Sequence, residues 1–305
     1  MKITVLILSL LCLVTGCTAL AYGDEPPDGK LRITATAFPL YDFARNIAGD
    51  KAHVTMLLPP GSDKHSYEPT PRDIITIKES DLFLYVGGIS DDWSARVTAE
   101  TNSLRLKDSV SPMNADLCCH DGYIDGDDLD IFDEHIWTSP QNAILMTAAI
   151  RDSLIAIDEE NADYYSENAE NYISKLEELD KVFAEITTES ARNTIVFADR
   201  FAFGYFTEAY GLEYFAAFPN CAEQAEPSAL TMAFLAEKIK AEKIPAVFYG
   251  ELSDKRIATA ISRETGAKPL LMHSCHTLTQ AEIDNGTGYI DLMRLNSAAL
   301  RMALN

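Results

Sequence analysis

Histidines are the residues of this 305-residue chain best suited to metal chemistry, and three of the six lie at predicted strand ends or helix starts. His65 follows a predicted strand after a Gly-Ser-Asp turn, and His273 stands at the end of another. His135 lies just before a helix that begins near Pro140. An open α/β sheet places its ligand crevice at such strand ends and helix starts. Because imidazole suits Zn²⁺, which takes about four ligands at roughly 2.0–2.1 Å, these positions indicate a zinc site.

Catalytic patterns are missing from the sequence. It contains no HExxH, GxSxG, GxxxxGK[ST] or dinucleotide-binding glycine fingerprint, so an enzyme is not expected. A net charge of −22 argues against nucleic acid and anionic membrane surfaces as partners.

The amino terminus is typical of an exported protein. Residues 1–17, MKITVLILSLLCLVTGC, combine one Lys, a short apolar run and small residues before Cys17. This pattern resembles a bacterial lipobox, in which the cysteine becomes lipidated, and residues 18–30 then form a polar tether. The alternative is an ordinary secretory signal with an incidental cysteine. We expect export and a lipid anchor at Cys17 on the extracytoplasmic face of a bacterial cell membrane.

Two further features concern cysteine and acidic residues. In an oxidising compartment, a disulfide between Cys221 and Cys275 is the simplest pairing. Segment 116–134 is rich in Asp and is interpreted as an exposed loop. It either remains solvated or collects cations weakly through Cys118, Cys119 and His120. It does not fit a calcium-binding loop.

Apolar patterning predicts an α/β fold with two lobes, each a mainly parallel sheet flanked by helices. The predicted strands are 33–40, 53–60 and 82–88 in a first lobe (31–160) and 194–199, 246–251 and 268–274 in a second (191–305). Between them, over 161–190, apolar residues recur at spacings of four, three, four and three: Tyr172, Leu176, Leu179, Phe183 and Ile186. This stripe predicts one long, rigid linking helix that permits little hinge motion.

Four stretches carry a resemblance to a known family: TAFPLYDFARNIAGDKAHVTMLLPPGSDKHSYEPTPRDI, DEHIWTSPQNA, ADRFAFGYFTEAYGL and TGYIDLMRLNSAAL. The chain resembles the solute-binding lipoproteins of bacterial zinc and manganese ABC transporters, the cluster A-I metal-binding group. The resemblance implies two α/β lobes with a metal ion in the cleft between them. It also implies a monomer that captures Zn²⁺ as a transported ligand and delivers it to an ABC transporter permease.

The resemblance also implies a ligand set. His65 and His135 match the family's two first-lobe ligands, whereas Arg200 stands where a third ligand is usual and cannot bind metal. The adjacent Asp199 is the candidate substitute, with pairing to Arg200 or helix capping as its alternative role. His273 takes the fourth position, and His276 is the alternative to it. Three imidazoles with at most one carboxylate favour zinc over manganese or iron. A surface adhesin is the less favoured function.

Overall fold

The structure, a computed structural model, describes residues 29–113, 132–218 and 227–305. Several expectations concern segments outside these residues. They are the signal segment 1–17 with Cys17, most of the tether 18–30, most of the loop 116–134, and Cys221. The predicted limits of the two lobes also stay predictions.

Two four-stranded parallel sheets form the two lobes, and they have the same strand order. The first is ordered β2-β1-β3-β4 and the second β6-β5-β7-β8. In each, the direction of winding reverses once, which creates a crevice beyond the carboxyl ends of the strands. The strands are β1 (Leu31–Ala35), β2 (Ala52–Met56), β3 (Leu82–Tyr85), β4 (Ser103–Arg105), β5 (Thr194–Arg200), β6 (Glu213–Phe218), β7 (Ala246–Tyr249) and β8 (Lys268–Leu271).

Helices flank both sheets, which confirms the predicted α/β fold with two lobes. They are α1 (Phe38–Ala48), α2 (Pro71–Lys78), α3 (Pro140–Ile157), α4 (Ala162–Glu189), α5 (Gly204–Tyr210), α6 (Ala229–Glu242), α7 (Arg256–Thr265), α8 (Gln280–Asp284) and α9 (Tyr289–Leu304). Within the described ranges, no helix combines the length and the apolar character needed to cross a membrane.

Strand ends differ from the sequence prediction. The first strand ends at Ala35 because Pro39, whose ring favours the first turn of a helix, lies at the start of α1. Strand β8 ends at Leu271, so His273 stands in the loop beyond it. Two strands were not predicted: β4 has only three residues, and β6 follows Gly211 closely.

Helix α4 is the predicted linking helix. Its 28 residues span about 42 Å at about 1.5 Å per residue. All five residues of the predicted apolar stripe are buried. They face α1, α3 and α9, against which the helix packs. The long helix is therefore held along its length by elements of both lobes.

One hydrophobic cluster continues through both lobes. It includes Phe43 of α1, Phe183 of α4, Phe197 of β5 and Tyr289 of α9. Separating the lobes would expose these side chains to water, at a cost of about 25 cal/mol for each Å² of apolar surface. This shared core therefore opposes hinge motion between the two lobes, in addition to the stiffness of the long helix.

A buried carboxylate ties the long helix to both lobes. Asp42 in α1 is 1% exposed, and its Oδ2 accepts a 2.8 Å hydrogen bond from the Tyr172 hydroxyl. The same oxygen accepts the backbone N–H of Tyr289 at 3.0 Å, and Oδ1 accepts Arg45 Nε at 2.8 Å. Burial and the nearby Asp42 charge raise the pKa of Tyr172 well above its ordinary value, so the hydroxyl remains a donor.

We predict that Tyr172→Phe lowers the free energy of unfolding by about 1.5–3 kcal/mol, the usual contribution of a hydrogen bond to a charged group. Urea denaturation measures this change. Tyr41→Phe is the matched control, since the Tyr41 ring contacts Arg45 but no hydrogen bond of its hydroxyl is observed among the described residues. Equal stability of the two variants would contradict the role given to Asp42.

Candidate metal centre

His65 is held at the edge of the interlobe cleft by a short 3-10 turn, Lys64–Ser66. The Asp63 side chain begins this turn by accepting the backbone N–H of His65 at 3.0 Å. Downstream, α2 begins with a reciprocal hydrogen-bonded cap between Thr70 and Asp73. The ring is oriented by the Ser90 hydroxyl, 2.9 Å from its Nδ1. Both ends of the loop are therefore fixed, and Nε2 is left for a ligand.

His135 is buried and oriented by a carboxylate two residues before it. Asp133 Oδ1 lies 3.0 Å from the His135 backbone nitrogen and 2.7 Å from its Nδ1. A carboxylate on one ring nitrogen keeps the proton there and directs the lone pair of the other towards a metal. Asp133 belongs to the end of the loop predicted to be exposed, but residues 132–134 are buried.

His276 extends from the second lobe in the loop after β8. The Glu251 carboxylate orders this loop by accepting the Ser274 hydroxyl at 2.6 Å and the backbone N–H groups of Ser274 and His276 at 3.0 and 3.3 Å. His276 is only 6% exposed, and its Nε2 is buried without a hydrogen-bond partner among the described residues. A buried polar atom without a partner lowers the free energy of unfolding by roughly 1–3 kcal/mol, and a ligand bound to this nitrogen would remove that penalty.

The three imidazoles converge on one point. His65, His135 and His276 each offer an atom within 4.8 Å of the others. The Nε2 atoms of His65 and His135 are 3.3 Å apart. Ligands about 2.0–2.1 Å from a tetrahedral zinc ion lie about 3.3 Å from one another. The spacing of His65 and His135 therefore suits a small tetrahedral ion, and His276 lies close enough to share it.

Hydrogen bonds between the lobes fix how the ligand loops meet. The indole Nε1 of Trp137, two residues after His135, donates to the carbonyl oxygen of Ser274 at 2.8 Å. The backbone N–H of Gly61 donates to the Leu278 carbonyl at 2.8 Å. These bonds join each first-lobe ligand loop to the loop that carries His276.

A buried ion pair links the residues that precede the two first-lobe ligands. Lys64 Nζ is 2.7 Å from Glu134 Oε2 and 3.6 Å from Asp91 Oδ2. Glu134 Oε1 also accepts the backbone N–H of Ser90, which allows the Ser90 hydroxyl to reach His65. Gly88, at φ +108°, makes room for this carboxylate, since a Cβ there would lie 2.8 Å from Glu134 Oε1.

Burial and the neighbouring charged groups set the pKa values of Glu134 and of the three histidines. Burial alone would raise the pKa of Glu134, but the Lys64 charge and the bonds from Lys64 and Ser90 lower it to about 2. Burial, His135 and Lys64 lower the pKa of His65 to about 4. Burial and the other imidazoles lower the pKa of His276 well below its ordinary value. Burial opposes protonation of His135 too, yet Asp133 raises its pKa.

The structure does not place His273 in the cluster. Its Nδ1 accepts the backbone N–H of Cys275 at 2.9 Å. The Asn296 side chain accepts the backbone N–H of His273 and donates to its carbonyl oxygen. His276, the alternative, lies in the cluster with His65 and His135. Cys275, which precedes it, adopts a left-handed conformation (φ 59°) that turns the loop. Cys275 is buried, and Cys221, its predicted disulfide partner, lies outside the described residues, so this pairing stays a prediction.

Asp199 and Arg200 lie in the second-lobe wall of the cleft. Asp199 Oδ1 accepts the backbone N–H of Arg200 at 2.8 Å, and Oδ2 accepts that of Gly250 at 3.1 Å. Arg200 Nη1 reaches across the cleft to Asp63 Oδ2 at 3.1 Å. Asp199 is absent from the three-residue cluster. A cavity of about 490 Å³ separates these walls and is lined in part by His65, His135 and His276.

Comparison with known proteins shows similarity along most of the chain. The profile of the ZnuA family, described as zinc-uptake complex component A, periplasmic, matches residues 33–303. Zinc-binding lipoprotein AdcA of Streptococcus pneumoniae (strain ATCC BAA-255 / R6) is 31% identical, over 98% of this chain and 60% of its own length. High-affinity zinc uptake system protein ZnuA of Bacillus subtilis (strain 168) is 29% identical, over 90% of this chain and 88% of its own length.

The fold is similar as well. The crystal structure of the Zn(II)-bound ZnuA-like domain of Streptococcus pneumoniae AdcA superposes with a TM-score of 0.76 and 30% identity. The match covers 90% of this chain and 99% of that domain. The chain thus spans about 60% of full-length AdcA and corresponds to its ZnuA-like domain.

We predict that Lys64→Met lowers the free energy of unfolding of the metal-free protein by about 3–5 kcal/mol, because Glu134 and Asp91 are then buried without a cation. Adding Glu134→Gln should recover part of this loss, since the neutral amide can still accept the Ser90 N–H. Urea denaturation measures both variants.

The exposed pair of Lys240 and Glu264, 3.0 Å apart, supplies the matched control. Lys240→Met should cost at most about 1 kcal/mol, as is usual for surface pairs. A loss as small as this for Lys64→Met would contradict a structural role for the buried pair.

Proposed function

The chain belongs to the ZnuA family of zinc-uptake components, and we propose that it captures Zn²⁺ in its interlobe cleft and delivers it to an ABC transporter permease. The observation that carries this proposal is the buried His276 Nε2, which has no hydrogen-bond partner among the described residues and lies beside two other converging imidazoles. A bound ion supplies the partner that this nitrogen lacks. The names of the relatives support the choice of ligand, since the pneumococcal one is a zinc-binding lipoprotein and the Bacillus one a zinc uptake system protein.

Zinc fits the donor set better than manganese or iron does. Imidazole is a borderline-soft ligand that suits zinc, whereas manganese sites favour carboxylate oxygen. No carboxylate among the described residues joins the three-imidazole cluster. Manganese or iron is the alternative cargo.

The setting of this function follows from the amino terminus. We propose that the protein is a monomer anchored to the extracytoplasmic face of the membrane through lipidated Cys17, with no enzymatic role. The relative in Streptococcus pneumoniae is named a lipoprotein, which supports an anchor of this kind.

Matched histidine variants test the ligand assignment. His276→Asn should lower zinc affinity by at least about a hundredfold, since it removes one of three ligands. His273→Asn should leave affinity within about threefold, because the amide oxygen can replace Nδ1 as acceptor of the Cys275 N–H.

The double variant His65→Ala, His135→Ala should lose high-affinity binding. Competition with a chromophoric chelator measures each affinity, and the reverse ranking of His276 and His273 would contradict the assignment.

The pH dependence of zinc affinity should reflect one proton. Only neutral imidazole binds metal, and His65, with a pKa of about 4, is already neutral at pH 5.5. Burial and the other imidazoles lower the pKa of His276 well below its ordinary value. His135 has a raised pKa and must lose its proton. Affinity should therefore fall about tenfold per pH unit below that pKa. Three ordinary histidines would together give a fall of about a thousandfold per unit below about pH 6.5. Titrations between pH 7.5 and 5.5 distinguish these slopes.

A further inference from the structure

The cluster supplies three ligands, one fewer than zinc usually takes. Within the described part of the chain, it is the one group of three or more His, Cys, Asp or Glu residues close enough to share an ion. Zinc prefers four ligands, and a site with three protein ligands leaves a position for an outside molecule.

Nearby carboxylates already have other partners. Both Asp199 oxygens accept backbone N–H groups, from Arg200 and Gly250. Glu251 holds the Ser274 backbone and hydroxyl, and these bonds position the His276 loop. Asp63 accepts the backbone N–H of His65 and forms an ion pair with Arg200. These bonds tie each carboxylate to the backbone of its own loop, and none of the three joins the imidazole cluster.

The cleft offers an outside molecule both space and a cation. The cavity of about 490 Å³ is much larger than the roughly 30 Å³ that a water molecule occupies in the liquid. Arg200 lines it and bonds to Asp63 through Nη1. A guanidinium carries five donors in a rigid fork that matches a carboxylate, and no protein partner of Arg200 Nε or Nη2 is observed among the described residues.

The charge of the ion itself favours an anionic fourth ligand. Three neutral imidazoles leave the two positive charges of zinc uncompensated at the ion. Arg200 lines the same cavity, together with Arg256 and four carboxylates: Asp63, Asp199, Glu251 and Asp254. The specific contribution of Arg200 is therefore its fork of donors, which matches a carboxylate, and not a net positive lining. A small carboxylate can satisfy both cations, with one oxygen on the metal and the other on the guanidinium.

We infer that the cleft binds zinc together with a small carboxylate anion, which provides the fourth ligand and is held by Arg200. This inference rests on the proposed zinc function and adds a second component to the cargo. Arg200 is then a residue that selects for a carboxylate-bound ion, and it stands at the sequence position where the family resemblance implies a third protein ligand.

Acetate is the probe. Zinc affinity of the wild-type protein should rise at least about tenfold between zero and 10 mM acetate (about 10 mM suffices for a weak co-ligand), with sodium perchlorate as the ionic-strength control. The visible absorption of Co²⁺ bound in place of zinc should change over the same range, since its bands report the ligands. Arg200→Met should remove both responses, and Arg200→Lys should weaken them because it keeps the charge without the fork.

Three outcomes would overturn the inference. One is tight zinc binding with no response to acetate in affinity or in the Co²⁺ spectrum. Another is an equal response in wild type and Arg200→Met. A third is an acetate-independent loss of affinity in Asp199→Asn, which would make Asp199 the fourth ligand. Failure of the wild-type protein to bind zinc at all, with or without acetate, would instead reject the proposed function.

Discussion

The hydrogen bond from the Trp137 indole to the Ser274 carbonyl oxygen, 2.8 Å long, is the constraint on which the metal centre depends. It joins a residue two positions after His135 to one two positions before His276. The Tyr289 hydroxyl holds the Trp137 carbonyl at 2.6 Å, so the C-terminal helix fixes the same point. Trp137 is completely buried. The core therefore holds the loops that carry His135 and His276 against each other.

Around this bond, charged side chains support the ligands instead of binding metal. Asp133 orients His135, Glu251 orders the loop of His276, and the pair of Lys64 and Glu134 connects the two first-lobe turns. Using carboxylates in this way keeps the donor set neutral and imidazole-rich. It also explains how an acidic protein can present a cluster of three imidazoles that no carboxylate among its described residues joins. The negative charge nearest the site is committed to hydrogen bonds before any ion arrives.

Much of this could be predicted from local sequence. The apolar stripe of α4 identified the long helix, and the turns around His65 and His135 indicated ligand loops. The choice between His273 and His276 could not be made in this way. It depends on where β8 ends and on the left-handed backbone of Cys275, and neither has a clear sequence signal. The burial of residues 132–134 was also missed, because composition suggested an exposed loop while long-range contacts with Lys64 and Ser90 decide it.

The continuous hydrophobic cluster has a kinetic consequence. Because one core runs through both lobes, wide separation of the lobes would require much of the free energy of global unfolding. Smaller movements of the ligand loops need only break bonds such as that from Gly61 to Leu278. Such local openings occur more often than global ones. For the proposed zinc cargo, the residence time would then be governed by the fluctuation rate of a few loop residues, and a permease that contacts those loops alone would shorten it.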